Sequence, residues 1–288
     1  MQIGISFPQT EIGRDPIVIR DFVQAAEEMG FAHVSMPDHV LGEGTPRGPE
    51  FARLYTRDFM FHEPFALMGF LAGLTTTIEL ATAILILPQR QAVLVAKQAA
   101  EVDVLSGGRL RLGVGLGWNE VEFDALGMDF RNRGHRMEEQ IAVMRRLWCQ
   151  DLVTFEGEWH NFADAGLNPE PVQRPIPVWI GAMSEPAVRR TGRIADGWFV
   201  YARAEPDDEV RGYFDLLRDS ATEAGRDPAE IGVDATVYAH TGGPQEWLDL
   251  IERWQALGAT RVTFRTTESG LDCPDGQLDA MRRLMDAR

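Results

Sequence analysis

The sequence predicts an α/β fold, a (β/α)8 TIM barrel with loop insertions. A short apolar run followed by a capped amphipathic helix occurs eight times along the chain. Strands that alternate with helices form parallel βαβ units. The length of 288 residues suits a closed barrel, which uses about 250 residues as one domain. We therefore expect residues 1–288 to form a single barrel domain, and an open doubly wound sheet is the alternative.

The first unit shows the pattern that the later units repeat. Its strand is the apolar run Ile3 to Phe7. Asp15 then supplies a helix N-cap and Pro16 a first-turn proline, and Gly30 caps the C-terminal end of the helix. The other strands are predicted at Ala32 to Met36, Ile78 to Leu87, Leu110 to Leu116, Val178 to Ile180, Gly197 to Val200, Ile231 to Tyr238 and Arg261 to Phe264.

A predicted helix follows each of these strands. Apolar residues recur at helical spacing in every one, and glycines close several of them. The helices after the first are predicted around Glu63 to Leu74, Val95 to Leu105, Gly134 to Trp148, Ser184 to Ile194, Pro206 to Gly225, Pro244 to Leu257 and Asp275 to the end.

Three connections, at about residues 37–62, 117–133 and 150–177, are too long to be plain turns. Long loops inside a compact domain are usually functional or disordered. The first two follow strands, so a barrel places them on its C-terminal face, where barrel active sites lie. The third follows a helix and enters the next strand from the opposite face. Within it, residues 154–159 predict a small hairpin around Glu156 and Gly157.

The composition limits the partners of the chain. Asp plus Glu number 44 against 28 for Lys plus Arg, which gives a net charge of −16. Such a field repels nucleic acid and anionic lipid, and an anionic cofactor would need local donors. The two cysteines, Cys149 and Cys273, are far apart in sequence and are expected to be free thiols. Because no signal peptide or membrane span is predicted, we expect a cytoplasmic protein without membrane or nucleic-acid partners.

Short motifs follow one another in a fixed order over roughly residues 1–200. They are Met36–His39, Leu87–Arg90, Leu105–Trp118, Glu122–Gly127, Pro177–Gly181 and Ala195–Trp198. No single motif is specific, but the ordered set resembles the luciferase-like family of flavin and deazaflavin oxidoreductases. The resemblance implies an enzyme that acts on a small-molecule substrate.

The family uses two cofactors, and both remain open at this point. Its luciferase and monooxygenase relatives bind FMN and activate oxygen, whereas another branch binds coenzyme F420, a deazaflavin that moves hydride only. Asp38 and His39 after the second strand, and the compact length, are similar to the F420 branch. The resemblance thus implies F420-dependent hydride transfer to or from a small organic substrate. The alternatives are an FMN-dependent monooxygenase and a non-catalytic flavin-binding barrel.

The resemblance also implies positions for the site. Asp38 and His39 are the expected catalytic residues, because an imidazole can hold or deliver a proton beside a redox ring. In the family, the strand at Thr82 and Ala83 lines the ring pocket and carries a bulge with a non-proline cis bond. The expected cofactor-binding residues are Thr82, Ala83, Gly115, Asn119, Gly181, Ala182, Met183 and Ser184.

The turn from Gly181 to Ser184 is expected to bind the phosphate, since N–H groups and the helix dipole favour anions there. Most of these residues also have a structural alternative. Asp38 can cap the following loop, His39 can donate to backbone, Gly115 can serve a sharp turn, and Ser184 can be a plain N-cap.

One departure from the family bears on the substrate. The sugar-phosphate dehydrogenases of the family carry a glutamate just after the glycines, where this chain has Trp118. A flatter and more apolar substrate is therefore expected.

Other polar residues give weaker indications of function. Arg47, Arg53, Arg57 and His62, in or beside the long second loop, are either anion donors or a solvated face. The histidines lack the paired spacing of a metal site, so no metal is expected.

A homodimer is expected from the helix after the second strand. In the family, helices flanking the second and third strands form the dimer face. Here that helix carries more apolar side chains than one helix face needs, and an exposed patch of this kind usually marks an interface. They are Phe65, Leu67, Met68, Phe70 and Leu71.

Overall fold

Parallel strands and helices alternate in the computed structural model, which describes residues 1–44, 56–200 and 203–288. The strands are β1 (Gln2–Ser6), β2 (His33–Met36), β3 (Glu79–Thr82), β4 (Leu85–Ile86), β5 (Leu110–Gly115), β6 (Val153–Glu156), β7 (Asn161–Ala165), β8 (Val178–Ala182), β9 (Gly197–Val200), β10 (Gly232–Tyr238) and β11 (Arg261–Arg265). The helices are α1 (Pro16–Glu28), α2 (Pro64–Ala72), α3 (Ala92–Ser106), α4 (Glu120–Ala125), α5 (Arg133–Cys149), α6 (Glu185–Ile194), α7 (Asp208–Glu223), α8 (Pro244–Leu257) and α9 (Asp275–Ala287).

The central sheet closes on itself as a (β/α)8 barrel, which confirms the predicted fold class. Each strand pairs in parallel with the next in the order β1, β2, β3, β5, β8, β9, β10 and β11. The last strand returns to the first, with Val262 opposite Ile3. β4 continues the third position of the barrel and pairs with β5, where Leu85 lies opposite Val114.

The third barrel strand is split in two. A continuous strand over Ile78–Leu87 was predicted, and this is wrong at the centre, because Ala83 and Ile84 leave the sheet between β3 and β4. The Ala83–Ile84 peptide bond is cis, as the resemblance implied. The Ile84 side chain turns toward the mouth of the barrel, where it lines a cavity.

The ends of the helices follow the caps that the sequence predicts. Asp15 accepts a hydrogen bond from the N–H of Ile17 at 2.9 Å and so starts α1. Gly107 and Gly258 adopt left-handed backbone at φ of 69° and 113°, and they end α3 and α8. Pro206 lies before α7, which begins with Asp207 as its N-cap instead.

Two of the long connections contain structure of their own. Residues 117–133 include the short helix α4, which the sequence did not predict. The predicted hairpin in residues 150–177 is confirmed as the antiparallel pair β6 and β7, with Phe155 opposite Phe162. Glu139 of α5 ties this hairpin down, because its carboxylate accepts the N–H groups of Glu158, Trp159 and His160.

An ionic cluster fills the N-terminal part of the barrel interior. Arg111 donates to Asp234 at 3.0 Å and to Glu79 at 2.6 Å, and its guanidinium lies 4.4 Å from the ring centre of Trp179. His33 Nε2 lies 3.2 Å from Asp234, and both side chains are buried. The cluster closes the barrel below the site and separates the site from the bottom of the barrel.

Most of the apolar residues expected at a dimer face are buried within the protein. Phe65, Leu67, Met68 and Leu71 are buried, whereas Phe70 is 41% exposed. The homodimer thus stays a prediction, and of the five residues that suggested it only Phe70 is exposed.

Other expectations concern the surface and the loops. Cys149 and Cys273 are free thiols, and no helix among the described residues is long and apolar enough to cross a membrane. Arg47 and Arg53, named above as either anion donors or part of a solvated face, lie outside the described residues.

Candidate active site

A cavity of about 440 Å³ opens at the carboxyl ends of the barrel strands. Most of the residues predicted for the site line it. They are Asp38, His39, Ala83, Gly115, Gly181, Ala182, Met183 and Ser184. Of the predicted set, Thr82 and Asn119 are not among the described residues that line the cavity.

Thr82 and Asn119 lie directly behind the cavity wall. Thr82 is buried and its hydroxyl donates to the carbonyl of Gly113 at 2.6 Å. The Asn119 side chain is also buried, and its oxygen accepts the N–H of Val121 at 3.2 Å to cap α4. Its Nδ2 donates to no atom of the described residues, which leaves a buried donor beside Trp118 of the cavity wall.

Asp38 is engaged on both of its oxygens. Its Oδ1 lies 2.8 Å from Nη2 of Arg90, and its Oδ2 accepts the backbone N–H of Ile86 at 3.1 Å. Burial would lower the pKa of Arg90, but the adjacent carboxylates of Asp38 and Glu63 outweigh it and raise that pKa. These contacts of Asp38 tie the end of β2 to the end of β4.

His39 lies against a buried carboxylate that the sequence did not predict. Its Nδ1 is 3.2 Å from Oε1 and 3.3 Å from Oε2 of Glu122. The imidazole also packs edge-on against Phe61 and Trp118, at ring-centre distances of 4.9 and 5.8 Å. These contacts fix the plane of the ring at the cavity wall.

Glu122 is fully buried in α4, yet all its neighbours favour the carboxylate form. It accepts the N–H groups of Val40 and Leu41 at 2.7 and 3.1 Å, and the amide of Gln89 at 3.2 Å. Burial raises the pKa of Glu122, but these bonds and His39 outweigh burial and lower it. Since an ionised carboxylate only accepts hydrogen bonds, Nδ1 of His39 carries the proton in this contact.

The side chain of Ile84 explains two of the glycines in the cavity wall. A Cβ at Gly115 would lie 2.6 Å from Ile84 Cδ1, and one at Gly181 would lie 2.9 Å from Ile84 Cγ2. Real Cβ atoms essentially never approach so closely. These glycines on β5 and β8 therefore leave room for the apolar group that follows β3.

One wall of the cavity carries a positive charge that the sequence analysis missed. Arg190 of α6 lines the cavity close to Ser184 in sequence, and its Nε donates to Glu138 at 2.7 Å. Arg193 shares the same carboxylate at 3.0 Å. Two guanidinium groups on one carboxylate leave a net positive charge. Gly134 admits the Arg190 side chain, because a Cβ there would lie 3.1 Å from its Nη2.

The family model described as luciferase-like monooxygenase matches residues 2–270. The chain belongs to this family. The barrel, the split third strand and the cavity at the C-terminal face are thus those of a luciferase-like protein.

Curated relatives of this luciferase-like chain differ in their cofactors. An uncharacterized protein of Mycobacterium tuberculosis is 33% identical over 73% of this chain and 71% of its own length. An F420-dependent glucose-6-phosphate dehydrogenase of Microbacterium testaceum is 31% identical over 73% of this chain and 60% of its own. An FMNH2-dependent dimethylsulfone monooxygenase of Pseudomonas putida is 33% identical over 62% of this chain and 49% of its own.

Solved structures share the luciferase-like fold over nearly the whole length. A monooxygenase from Streptomyces bottropensis has a TM-score of 0.83 at 19% identity and covers 100% of this chain and 98% of its own. The coenzyme F420 dependent tetrahydromethanopterin reductase of Methanopyrus kandleri has a TM-score of 0.79 at 18% identity, with coverage of 99% and 97%. At these identities the likeness shows the fold alone.

Three polar residues of this luciferase-like site escaped the sequence analysis, for different reasons. Arg90 stands in a motif quoted above, but its partner Asp38 lies 52 residues away. Glu122 also stands in such a motif, but it belongs to a helix too short to give a clear apolar period. Arg190 follows another arginine on a predicted helix, and only the tertiary fold turns it toward the cavity.

Proposed function

We propose that this protein is a coenzyme F420-dependent oxidoreductase that transfers hydride between the deazaflavin and a small organic substrate. The observation that carries the proposal is the contact of His39 with the buried carboxylate of Glu122 at the cavity wall. Hydride transfer to or from a carbonyl, alcohol or activated double bond leaves a proton to be supplied or removed. A positioned histidine is suited to that task.

In this proposal the bound deazaflavin supplies hydride chemistry, and the chain supplies binding, orientation and proton handling. His39 donates or accepts the proton that accompanies the transfer of the hydride. Glu122 keeps Nδ1 protonated, so Nε2 is the nitrogen that exchanges a proton with the substrate. Asp38 acts as a positioning residue, because Arg90 and the Ile86 N–H already engage its oxygens.

The cavity residues fit an anionic cofactor with a flat ring. The chain has a net charge of −16, so a phosphate needs local positive charge. Arg190 supplies it beside the turn from Gly181 to Ser184 at the start of α6. Ile84 and Phe199 supply apolar wall for a ring. The buried Nδ2 of Asn119, which has no hydrogen-bond partner in the described residues, is a further donor for the cofactor tail.

A second candidate is an FMN-dependent monooxygenase, which the Pseudomonas putida relative favours. Activation of oxygen by a reduced flavin is chemistry of the cofactor and does not by itself need a paired histidine at the ring. The His39–Glu122 contact therefore supports hydride transfer over oxygen activation.

Titration of the apoprotein with coenzyme F420 and with FMN, followed by fluorescence, tests the proposal. We expect micromolar or tighter binding of F420 and weaker binding of FMN. Oxygen uptake with reduced FMN is measured in parallel, and none above the buffer rate is expected. Tighter binding of FMN together with oxygen consumption would replace the proposal by the monooxygenase.

A further inference from the structure

We propose that Arg265 binds a carboxylate of the substrate, at the side of the cavity away from Arg190. The substrate class is then an apolar molecule with one carboxylate group. This inference rests on the proposed function, in which the cofactor phosphate takes the end of the cavity near Arg190.

The alternation of β11 places Arg265 at the mouth of the barrel. Arg261, Thr263 and Arg265 share one face of the strand, since every second residue of a strand points the same way. Arg261 and Thr263 bond within the ionic cluster, to Glu79 at 2.8 Å and to Asp234 at 2.9 Å. Arg265 is the last residue of the strand and lines the cavity, beyond the reach of that cluster.

Neighbouring side chains hold the Arg265 guanidinium in one orientation. Its Nε donates to the hydroxyl of Thr267 at 2.8 Å, and its Cζ atom lies 5.3 Å from the ring centre of Tyr238. Its Nη2 reaches Glu268 only at 3.4 Å. In the described part of the chain Nη1 makes no hydrogen bond, so this oriented group still has donors to offer a ligand.

The carboxylates near Arg265 are engaged by other groups. Glu268 lies between two guanidinium groups, at 3.4 Å from Arg265 and 3.3 Å from Arg203. Glu11 accepts the N–H of Glu268 at 2.9 Å and the amide of Gln277, so its carboxylate does not occupy the guanidinium of Arg265. A planar carboxylate also matches the geometry of the guanidinium, which offers parallel N–H donors.

The position of Arg265 around the barrel separates it from the proposed phosphate site. Arg190 follows β8, the fifth barrel strand, whereas Arg265 ends β11, the eighth. In a ring of eight strands these positions lie almost opposite each other. Hydroxyl groups of Ser6 and Thr236 line the side of Arg265, and Ile84, which lies against Gly115 and Gly181, lines the far side. A substrate with one polar end and an apolar body fits this division.

Calorimetric titration of the F420-loaded protein with matched acids and amides tests the inference. The probes are trans-cinnamate against trans-cinnamamide and hexanoate against hexanamide. We expect the wild type to bind at least one acid ten times more tightly than its amide, and Arg265→Gln to lose that preference. Arg265→Lys keeps the positive charge but loses the paired N–H donors of the guanidinium, so it should retain part of the preference for the acid. Arg203→Gln is the matched control, because it removes an exposed arginine from the same Glu268, and should keep the preference.

Several outcomes would overturn the inference. They are the absence of any acid preference in both pairs, a preference that survives Arg265→Gln, and tighter binding of phenyl phosphate than of either acid. A loss of F420 affinity in Arg265→Gln with the acid preference intact would assign the residue to the cofactor. The same titrations on the apoprotein decide the role of Arg265 even if F420 does not bind, so failure of the proposed function is a separate result. Melting temperatures identify any variant that does not fold.

Discussion

Nδ1 of His39 lies 3.2 Å from the carboxylate of Glu122, and that carboxylate is fully buried in a helix 83 residues further along the chain. Two backbone N–H groups from the segment just after His39 bond to the same carboxylate. Glu122 therefore holds both the imidazole and the loop that carries it. If the histidine handles a proton, this carboxylate sets its tautomer and helps to orient its ring.

Replacement of this carboxylate tests the relationship. Glu122→Gln keeps the size of the side chain and an oxygen for the N–H groups of Val40 and Leu41, but it removes the negative charge. We expect kcat to fall about tenfold to a hundredfold, a part of the 10²–10⁴ that a proton-transferring histidine contributes. We also expect the pH profile of kcat to move to lower pH, because the imidazolium loses an adjacent anion.

A glutamate on the same helix provides the control for this variant. Glu120 is exposed in the first turn of α4, so Glu120→Gln should leave kcat and its pH profile unchanged. A Glu122→Gln protein that melts at a lower temperature but keeps the wild-type kcat and pH profile would reduce Glu122 to a structural residue.

The histidine itself gives the second prediction. His39→Ala should lower kcat by about 10²–10⁴, with a much smaller change in cofactor affinity, because the proposed phosphate site lies near Arg190. The measurement is turnover at saturating cofactor together with the dissociation constant of the cofactor. Normal turnover would remove His39 from the catalytic residues.

A second histidine–glutamate pair serves as the matched control for His39. Nδ1 of His160, on the hairpin, lies 2.7 Å from Glu139 of α5, and His160 is not among the described residues that line the cavity. His160→Ala should change the stability of the hairpin and leave turnover intact. Equal effects of the two variants on turnover would contradict a special role of His39.

Most helices and strands could be predicted from the sequence, because the residue patterns that mark them are local. The strand at Arg261, the helix from Pro244 to Leu257 and the cap at Asp15 each depend on residues within a few positions of one another. The break after Thr82 has no local pattern, since the apolar run continues through Ala83 and Ile84 into β4. Only the glycines on two other strands leave the room that this break needs.

The site was predictable only where a motif marks a strand end. Asp38 and His39 follow β2 directly, so the barrel places them at the cavity from their position alone. Their partners Arg90 and Glu122 are remote in sequence, and no spacing rule links them to β2. Arg265 is likewise one residue past the predicted end of its strand, and its direction depends on the register of β11 in the closed barrel.

The third prediction concerns Arg190. Arg190→Gln should raise the dissociation constant of the cofactor about tenfold to a hundredfold, because a charge-assisted hydrogen bond contributes about 1.5–3 kcal/mol. Turnover at saturating cofactor should change little. Arg193→Gln is the control, since Arg193 is more exposed and contacts the same Glu138. Equal losses of affinity in the two variants would indicate a general charge effect instead of a contact with the phosphate.

The last prediction concerns stability against pH and arises from the ionic cluster below the site. Burial lowers the pKa of His33, so the folded protein resists protonation of this imidazole. Burial alone would raise the pKa of Asp234, but His33 and Arg111 outweigh it and hold that pKa below its usual range. For both groups the unfolded chain therefore binds protons more readily than the folded one, and stability rises with pH wherever that holds.

The two groups act in different pH windows. The unfolded histidine takes up its proton as the pH falls through about 6.5, and the unfolded aspartate as it falls through about 3.9. We expect the free energy of unfolding to be highest above pH 7. It should then decline below about pH 6.5 by at most about 1.4 kcal/mol per pH unit for the single proton on His33. Acidification through the range of Asp234 should add a second decline. Urea unfolding from pH 8 to about pH 2 measures both, and His33→Gln should flatten the first decline while His240→Gln, at an exposed histidine, should not. A His33→Gln protein that keeps the wild-type slope between pH 7 and pH 5 would show that other groups cause the loss of stability.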